Sequence, residues 1–190
     1  MHTLSFDECN DWQKKWALYT GGKLSKKITD YFNRSSQLWI DFIDKKHLPD
    51  QGKLGITILP GRKDKKRVLK DDIQAIKNQG ITHVVCLATY DELVIYGVPE
   101  LKEFYENSGL YTYFFPILDQ HASNAELTMD LLTWMNSVLS HNKNILLHCV
   151  GGLGRSGMIA AAYLKKMMNM SIDDAIKAVR ETRSKRAIET

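Results

Sequence analysis

His148-Cys149-Val150-Gly151-Gly152-Leu153-Gly154-Arg155-Ser156-Gly157 follows the apolar run Ile145-Leu146-Leu147 and precedes the apolar stretch Met158 to Leu164. That layout reads as strand, glycine-rich turn and helix. In an open α/β sheet, ligands bind beyond the carboxyl ends of the strands, where the following helices begin. The segment therefore sets both an architecture and the place of a site within it.

The turn has the chemistry of an anion cradle. A helix N-terminus carries unpaired N–H groups and about half a positive charge. Gly151, Gly152 and Gly154 permit the torsions that curl successive amides into a concave nest. Cys149 ends the strand in the same field, which favours thiolate at neutral pH. Arg155 offers a planar fork for two oxygens at once, which lysine cannot match. Ser156 is placed to donate to the sulfur as it leaves, and His148 to orient the loop from behind. Val150, Gly151, Gly152, Leu153, Gly154 and Arg155 are thus the expected phosphate-binding run, with Cys149 as the sulfur nucleophile.

Around this segment the chain alternates strands with helices. Leu24, Ile28, Tyr31, Phe32, Leu38, Trp39, Phe42 and Ile43 recur every three to four residues and predict an amphipathic helix ending near His47-Leu48-Pro49. Gly55 to Leu59 reads as a short strand, Lys70 to Gln79 as a helix closed by Gly80, and Thr82 to Leu87 as a buried strand. A helix around Pro99 to Asn107, an aromatic strand from Tyr111 to Phe115 and a long helix from about Asn124 to His141 follow. After the central segment a last helix starts at Ser171, which pairs with Asp174 in a capping-box pattern. The order predicts an α/β fold, a central and mostly parallel sheet flanked by helices. Residues 1–48 form an expected N-terminal helical extension packed on a domain at 49–190.

The chain of 190 residues is 44% apolar and 25% charged, the composition of one folded domain. No window reaches the roughly eighteen consecutive apolar residues of a membrane span. The start, with Asp7 and Glu8, lacks a secretory pattern. A cytoplasmic protein with no membrane partner is expected. Three cysteines at irregular spacing make neither a disulfide framework nor a zinc site, so no metal is expected. The net charge of +4 is mild, but Arg62, Lys63, Lys65, Lys66 and Arg67 bunch together. Such a run is expected to be a solvated loop, with docking of an acidic partner as its functional reading. It lacks interleaved aromatics, so nucleic acid is not an expected partner.

His148-Cys149, then five residues, then Arg155-Ser156 resembles the active loop of the cysteine-dependent protein phosphatases, the protein-tyrosine and dual-specificity superfamily. Within it, Leu54-Gly55-Ile56-Thr57-Ile58-Leu59-Pro60-Gly61, Pro116-Ile117-Leu118-Asp119, the central loop and Ala187-Ile188-Glu189-Thr190 are similar to the kinase-associated phosphatases. That likeness spans roughly residues 50 to 190. It implies hydrolysis of phosphotyrosine and phosphoserine or phosphothreonine through a phosphocysteine, with no metal or other cofactor. Cys149, Arg155, Asp119, Ser156 and His148 would be the catalytic set.

Asp119 takes the acid's place on a loop about thirty residues ahead of the cysteine. A tryptophan-proline-aspartate triplet, found in the tyrosine-specific branch, is absent. Asp91 and Glu92 are alternative acids, and His121 a more remote one. No lysine lies inside the loop to meet the extra phosphates of an inositide, so a phosphorylated protein is the expected partner, in the nearest relatives a kinase. Some relatives pair the catalytic cysteine with one on a neighbouring strand, a role that falls to Cys86. Relatives also continue into another helix past the position of Thr190, so either a short form or a truncated chain is expected. Two other readings stay open: a phosphatase-like domain that binds phosphorylated partners with little turnover, and a sulfurtransferase or arsenate reductase using a similar loop.

Overall fold

Short β-branched and leucine-rich runs in this chain pair side by side, and most are buried on both faces. The structure, a computed structural model, describes residues 38–49 and 52–188. Its five strands are β1 (Asp41–Phe42), β2 (Leu54–Thr57), β3 (His83–Cys86), β4 (Tyr111–Phe114) and β5 (Ile145–His148). They lie in the order β1-β2-β5-β3-β4. All neighbours are parallel except β1 and β2. Every residue of β2 and β5 is buried, as unbroken apolar runs in a parallel sheet require, whereas the edge strand β4 is partly exposed.

Six helices connect and cover the strands: α1 (Leu69–Asn78), α2 (Tyr90–Ile95), α3 (Leu101–Asn107), α4 (Ala125–Ser140), α5 (Gly154–Met167) and α6 (Ile172–Thr182). α5 packs between α4 and α6, and their apolar faces join Ile56, Val85, Ile145 and Leu147 in the main core. α1 packs on α3, which lies against β4. Side-chain caps set several starts: Asn124 accepts from the Leu127 N–H, and Ser171 from the Asp174 N–H.

The expected α/β sheet is present, with two local corrections. The helical spacing ending near Pro49 does not give a helix over residues 38–43; Asp41 and Phe42 pair with Ile56 and Gly55, and Ile43 donates to Leu54 O. Pairing with an open sheet edge outweighs an amphipathic period there. This compact unit begins at Ile40 and so takes in residues ahead of position 49. Residues 1–37 of the expected extension lie outside the described residues.

The basic run is the second correction. Lys63, Lys65 and Lys66 are exposed as expected, but Arg62 and Arg67 are buried. Arg67 makes a two-point ion pair with the buried Asp72, at 2.8 and 2.6 Å, and Asp72 also accepts from the Gly61 N–H at 2.8 Å. A carboxylate inside the protein needs such donors, and here they hold the turn after β2 on the first turns of α1.

β2, β5 and β3 end level, Thr57 beside His148 beside Cys86. His148 is fully buried, with Nε2 2.8 Å from Tyr105 Oη and Nδ1 3.4 Å from Cys149 O. A carbonyl oxygen can only accept, so the His148 proton sits on Nδ1 toward Cys149 O and Nε2 accepts from the Tyr105 O–H, whose phenol burial pushes well up. Burial also drives His148 down to about 4. An unfolded chain takes up this proton below about 6.5, so stability is full above that pH and falls as pH drops toward 4. The whole effect is on the order of 3 kcal/mol. Nitrogen-15 NMR should find the His148 ring neutral at pH 5.5, with denaturant midpoints falling between pH 6.5 and 4.5; a ring that titrates near 6.5 would contradict this burial.

Candidate active site

The chain leaves β5 at Cys149 and turns back into α5 within a few residues. Gly152 makes that turn possible. Its φ is +62°, and a Cβ there would stand 2.2 Å from Thr57 O. Only glycine fits so close to β2 in that conformation. Gly151 has open space around it, so of these two glycines Gly152 bears the steric demand. The Gly152 N–H points at Cys149 Sγ, 3.2 Å away. Leu153 precedes α5 without a side-chain cap, leaving the first-turn N–H groups to the loop.

Arg155, in that first turn, is 5% exposed. Glu92 holds it in a two-point bond, Nη1 to Oε2 and Nη2 to Oε1, both 2.7 Å. Nη1 also donates to Ile117 O at 2.9 Å, and Nη2 lies 3.1 Å from Asp119 Oδ1. Among the described residues Nε has no hydrogen-bond partner, nor does the buried Ser156 Oγ. Burial opposes the Glu92 charge, but the bonds from Arg155 and Thr89 outweigh it and hold the carboxyl below its usual range. Burial likewise opposes the Arg155 charge, and Glu92 outweighs it.

These groups meet at a cleft of about 400 Å³, lined by Glu92, Tyr96, Asp119, Gln120, Cys149, Val150, Gly151, Leu153, Gly154 and Arg155. A larger hollow against α6, of about 550 Å³, is lined by Ile176 and charged side chains without a nucleophile, so chemistry selects the smaller one. The cleft gathers a sulfur, a cationic fork and an exposed carboxylate, a set able to hold a tetrahedral anion against the sulfur.

Asp119 thus reaches the cleft, on an exposed turn whose backbone oxygen accepts from His121 Nδ1 at 2.8 Å. Asp91 is exposed on α2 and does not line it. Glu92 does, but as the anchor of Arg155 rather than a free acid. Its sequence signal was Thr89-x-x-Glu92: Thr89 Oγ1 accepts from the Glu92 N–H while Glu92 accepts from the Thr89 N–H, a capping box that starts α2. Cys86, across from His148 in register, is a buried free thiol pushed up to about 12 by burial, and it donates to Ala88 O.

Two arginines anchor the loop: Arg62, read from the sequence as part of a solvated basic run, and Arg183, which the sequence reading did not single out. Arg62 Nη1 donates to Val150 O at 2.9 Å, and Arg183 Nε to Gly152 O at 3.0 Å. Ala187, buried, and Ile188 press on Gly157, and the Ile188 N–H donates to Leu153 O, so the Ala-Ile pair near the chain's end supports the loop.

Residues 33–176 match the family model of cyclin-dependent kinase inhibitor 3 (CDKN3). Cyclin-dependent kinase inhibitor 3 of Rattus norvegicus is 34% identical over 140 residues, covering 72% of this chain and 66% of the relative's length. Dual specificity protein phosphatase 9 of Homo sapiens is 31% identical over 88 residues, 45% of this chain and 23% of that protein. A crystal structure of kinase associated phosphatase, with serine replacing its catalytic-site cysteine, aligns with TM-score 0.76 and 30% identity over 81% of this chain and 88% of that one. The chain has a dual-specificity-phosphatase-like fold and belongs to the cyclin-dependent kinase inhibitor 3 family.

Proposed function

We propose that the chain is a cysteine-dependent protein phosphatase acting on phosphotyrosine and phosphoserine or phosphothreonine through a phosphocysteine intermediate. The observation that carries the reading is the convergence of Cys149, Arg155 and Asp119 on one cleft, with Arg155 fixed by Glu92 and its buried Nε unpartnered. The Cys149 thiolate attacks phosphorus in line while Arg155 and the loop amides hold the equatorial oxygens. Asp119 protonates the departing oxygen, leaving the phosphoryl group on sulfur. Asp119 then takes a proton from the attacking water, inorganic phosphate leaves, and Ser156 donates to the released thiolate. Positioning and fixed electrostatics supply most of the stabilisation in such a transfer.

A protein substrate is supported by the loop's lack of lysine and by the relatives' names, which point to a kinase as partner. Among the described residues no helix is long and apolar enough to cross a membrane. The chain spans 66% of the length of the curated relative, and the kinase partner is carried over as part of this proposal.

Kinetics with phosphotyrosine, phosphothreonine and phosphoinositide substrates test the reading. Cys149→Ser should abolish turnover while keeping the fold, and Asp119→Ala should lower kcat about 10²- to 10⁴-fold on alkyl esters. Undiminished turnover by Cys149→Ser would end the proposal; a wild type that binds phosphopeptide without hydrolysing it would favour a binding module. Glu92→Gln, which cannot match both guanidinium nitrogens as a charged acceptor, should cost about ten- to a hundredfold in kcat/KM. Equal kcat/KM would remove Glu92 from the machinery. A reversible Cys86–Cys149 disulfide that shields the catalytic sulfur from overoxidation, as the resemblance implies, is tested by mild peroxide and mass mapping: a reducible link is expected, and sulfinic acid at Cys149 without it would refute the pairing.

A further inference from the structure

In a trans peptide the C=O and N–H point in opposite directions, and no cis peptide occurs among the described residues. Whatever grips a loop carbonyl from outside therefore aims the next residue's N–H inward. Val150 O accepts from Arg62 Nη1 at 2.9 Å and from the Leu59 N–H at 3.1 Å, so the Gly151 N–H points the other way. Gly152 O accepts from Arg183 Nε at 3.0 Å, which turns the Leu153 N–H likewise. Gly151 and Leu153 both line the cleft.

Each arginine is itself fixed on its far side. Arg62 forks onto Asp64 through Nε and Nη2 at 2.9 and 2.7 Å, and its guanidinium lies 4.7 Å from the centre of the Tyr96 ring, a wall of the cleft. Arg183, just past α6, pairs with Asp41 of β1 at 2.5 Å. A cation at the carbonyl end of a peptide also polarises its N–H into a stronger donor for an anion.

We propose that Arg62 and Arg183 are positioning residues that hold the phosphate loop from its outer side, each gripping one carbonyl so that the amides of Gly151 and Leu153 face and bind the oxyanion. The inference rests on the phosphatase reading and names two of the groups that make its anion site. Neither arginine touches the phosphate; both act through the loop.

The test measures orthovanadate inhibition, and kcat and KM with a phosphate ester, for wild type, Arg62→Gln, Arg62→Lys and Arg183→Gln, with circular dichroism and denaturant midpoints reporting the fold. Arg62→Gln and Arg183→Gln should lose about ten- to a hundredfold in kcat/KM, with a parallel weakening of vanadate inhibition. Arg62→Lys, which keeps a cationic donor for Val150 O, should recover most of both. Should Arg183→Gln fail to fold because the buried Asp41 loses its Arg183 bond, Arg62→Gln decides, since its partner Asp64 is 43% exposed. A folded Arg62→Gln that binds vanadate as tightly as wild type overturns the proposal. A wild type that neither turns over the ester nor binds vanadate overturns the phosphatase reading beneath it.

Discussion

A guanidinium that is 5% exposed cannot stand alone, and the carboxylate that answers Arg155 organises one side of the cleft. Glu92 Oε2 accepts from Arg155 and from the Thr89 N–H, while Oε1 takes the second arginine nitrogen. One carboxylate thus starts α2 and neutralises the cation at the start of α5. The pairing sets α2 over the loop, which is why Tyr96, one residue beyond that helix, becomes a wall of the cleft. Arg155 spends Nη1 and Nη2 on Glu92 and Ile117, while Nε has no partner among the described residues.

The loop is held mostly from behind. Its carbonyls face protein donors: His148 on Cys149 O, Leu59 and Arg62 on Val150 O, Arg183 on Gly152 O, and Gly157 with Ile188 on Leu153 O. Gly152 passes against Thr57 where no side chain fits, and Gly157 leaves room for Ile188. These contacts come from β5, the turn after β2 and the far end of the chain. The anion cradle is therefore built on packed elements, whereas Asp119 sits on an exposed turn with 68% of its side chain in solvent. Such a division suits the proposed site, with a pre-organised loop and an exposed carboxylate to meet an incoming oxygen.

Much of the architecture could be read from local pattern. Short apolar and aromatic runs marked the four longer strands, and the capping pattern at Ser171 marked a helix start, because both depend on neighbours within a few residues. The reading failed over residues 38–43, where a helical period met the open edge of β2 and pairing prevailed. It also failed at Arg62 and Arg67, since a charge run is solvated only when no acid lies within reach. Asp64 and Asp72 supply those acids, one two residues from Arg62 and the other a turn into α1.

Residues 148–157 alone specified a sulfur, an arginine fork and a glycine turn, because their chemistry lies in adjacent positions and needs no distant partner to be legible. Asp119 entered through family resemblance, and its place at the cleft was decided by the fold. What only the tertiary structure decided is which carboxylate braces Arg155 and which stays exposed at the cleft. Glu92 lies 63 residues and Asp119 36 residues ahead of Arg155, on which both converge. Choosing the anchor from the acid required knowing which is half-buried and which faces water. The outer grips of Arg62 and Arg183 were hidden for the same reason: they depend on bonds across 88 and 31 residues, made when the sheet closes and α6 returns to the loop.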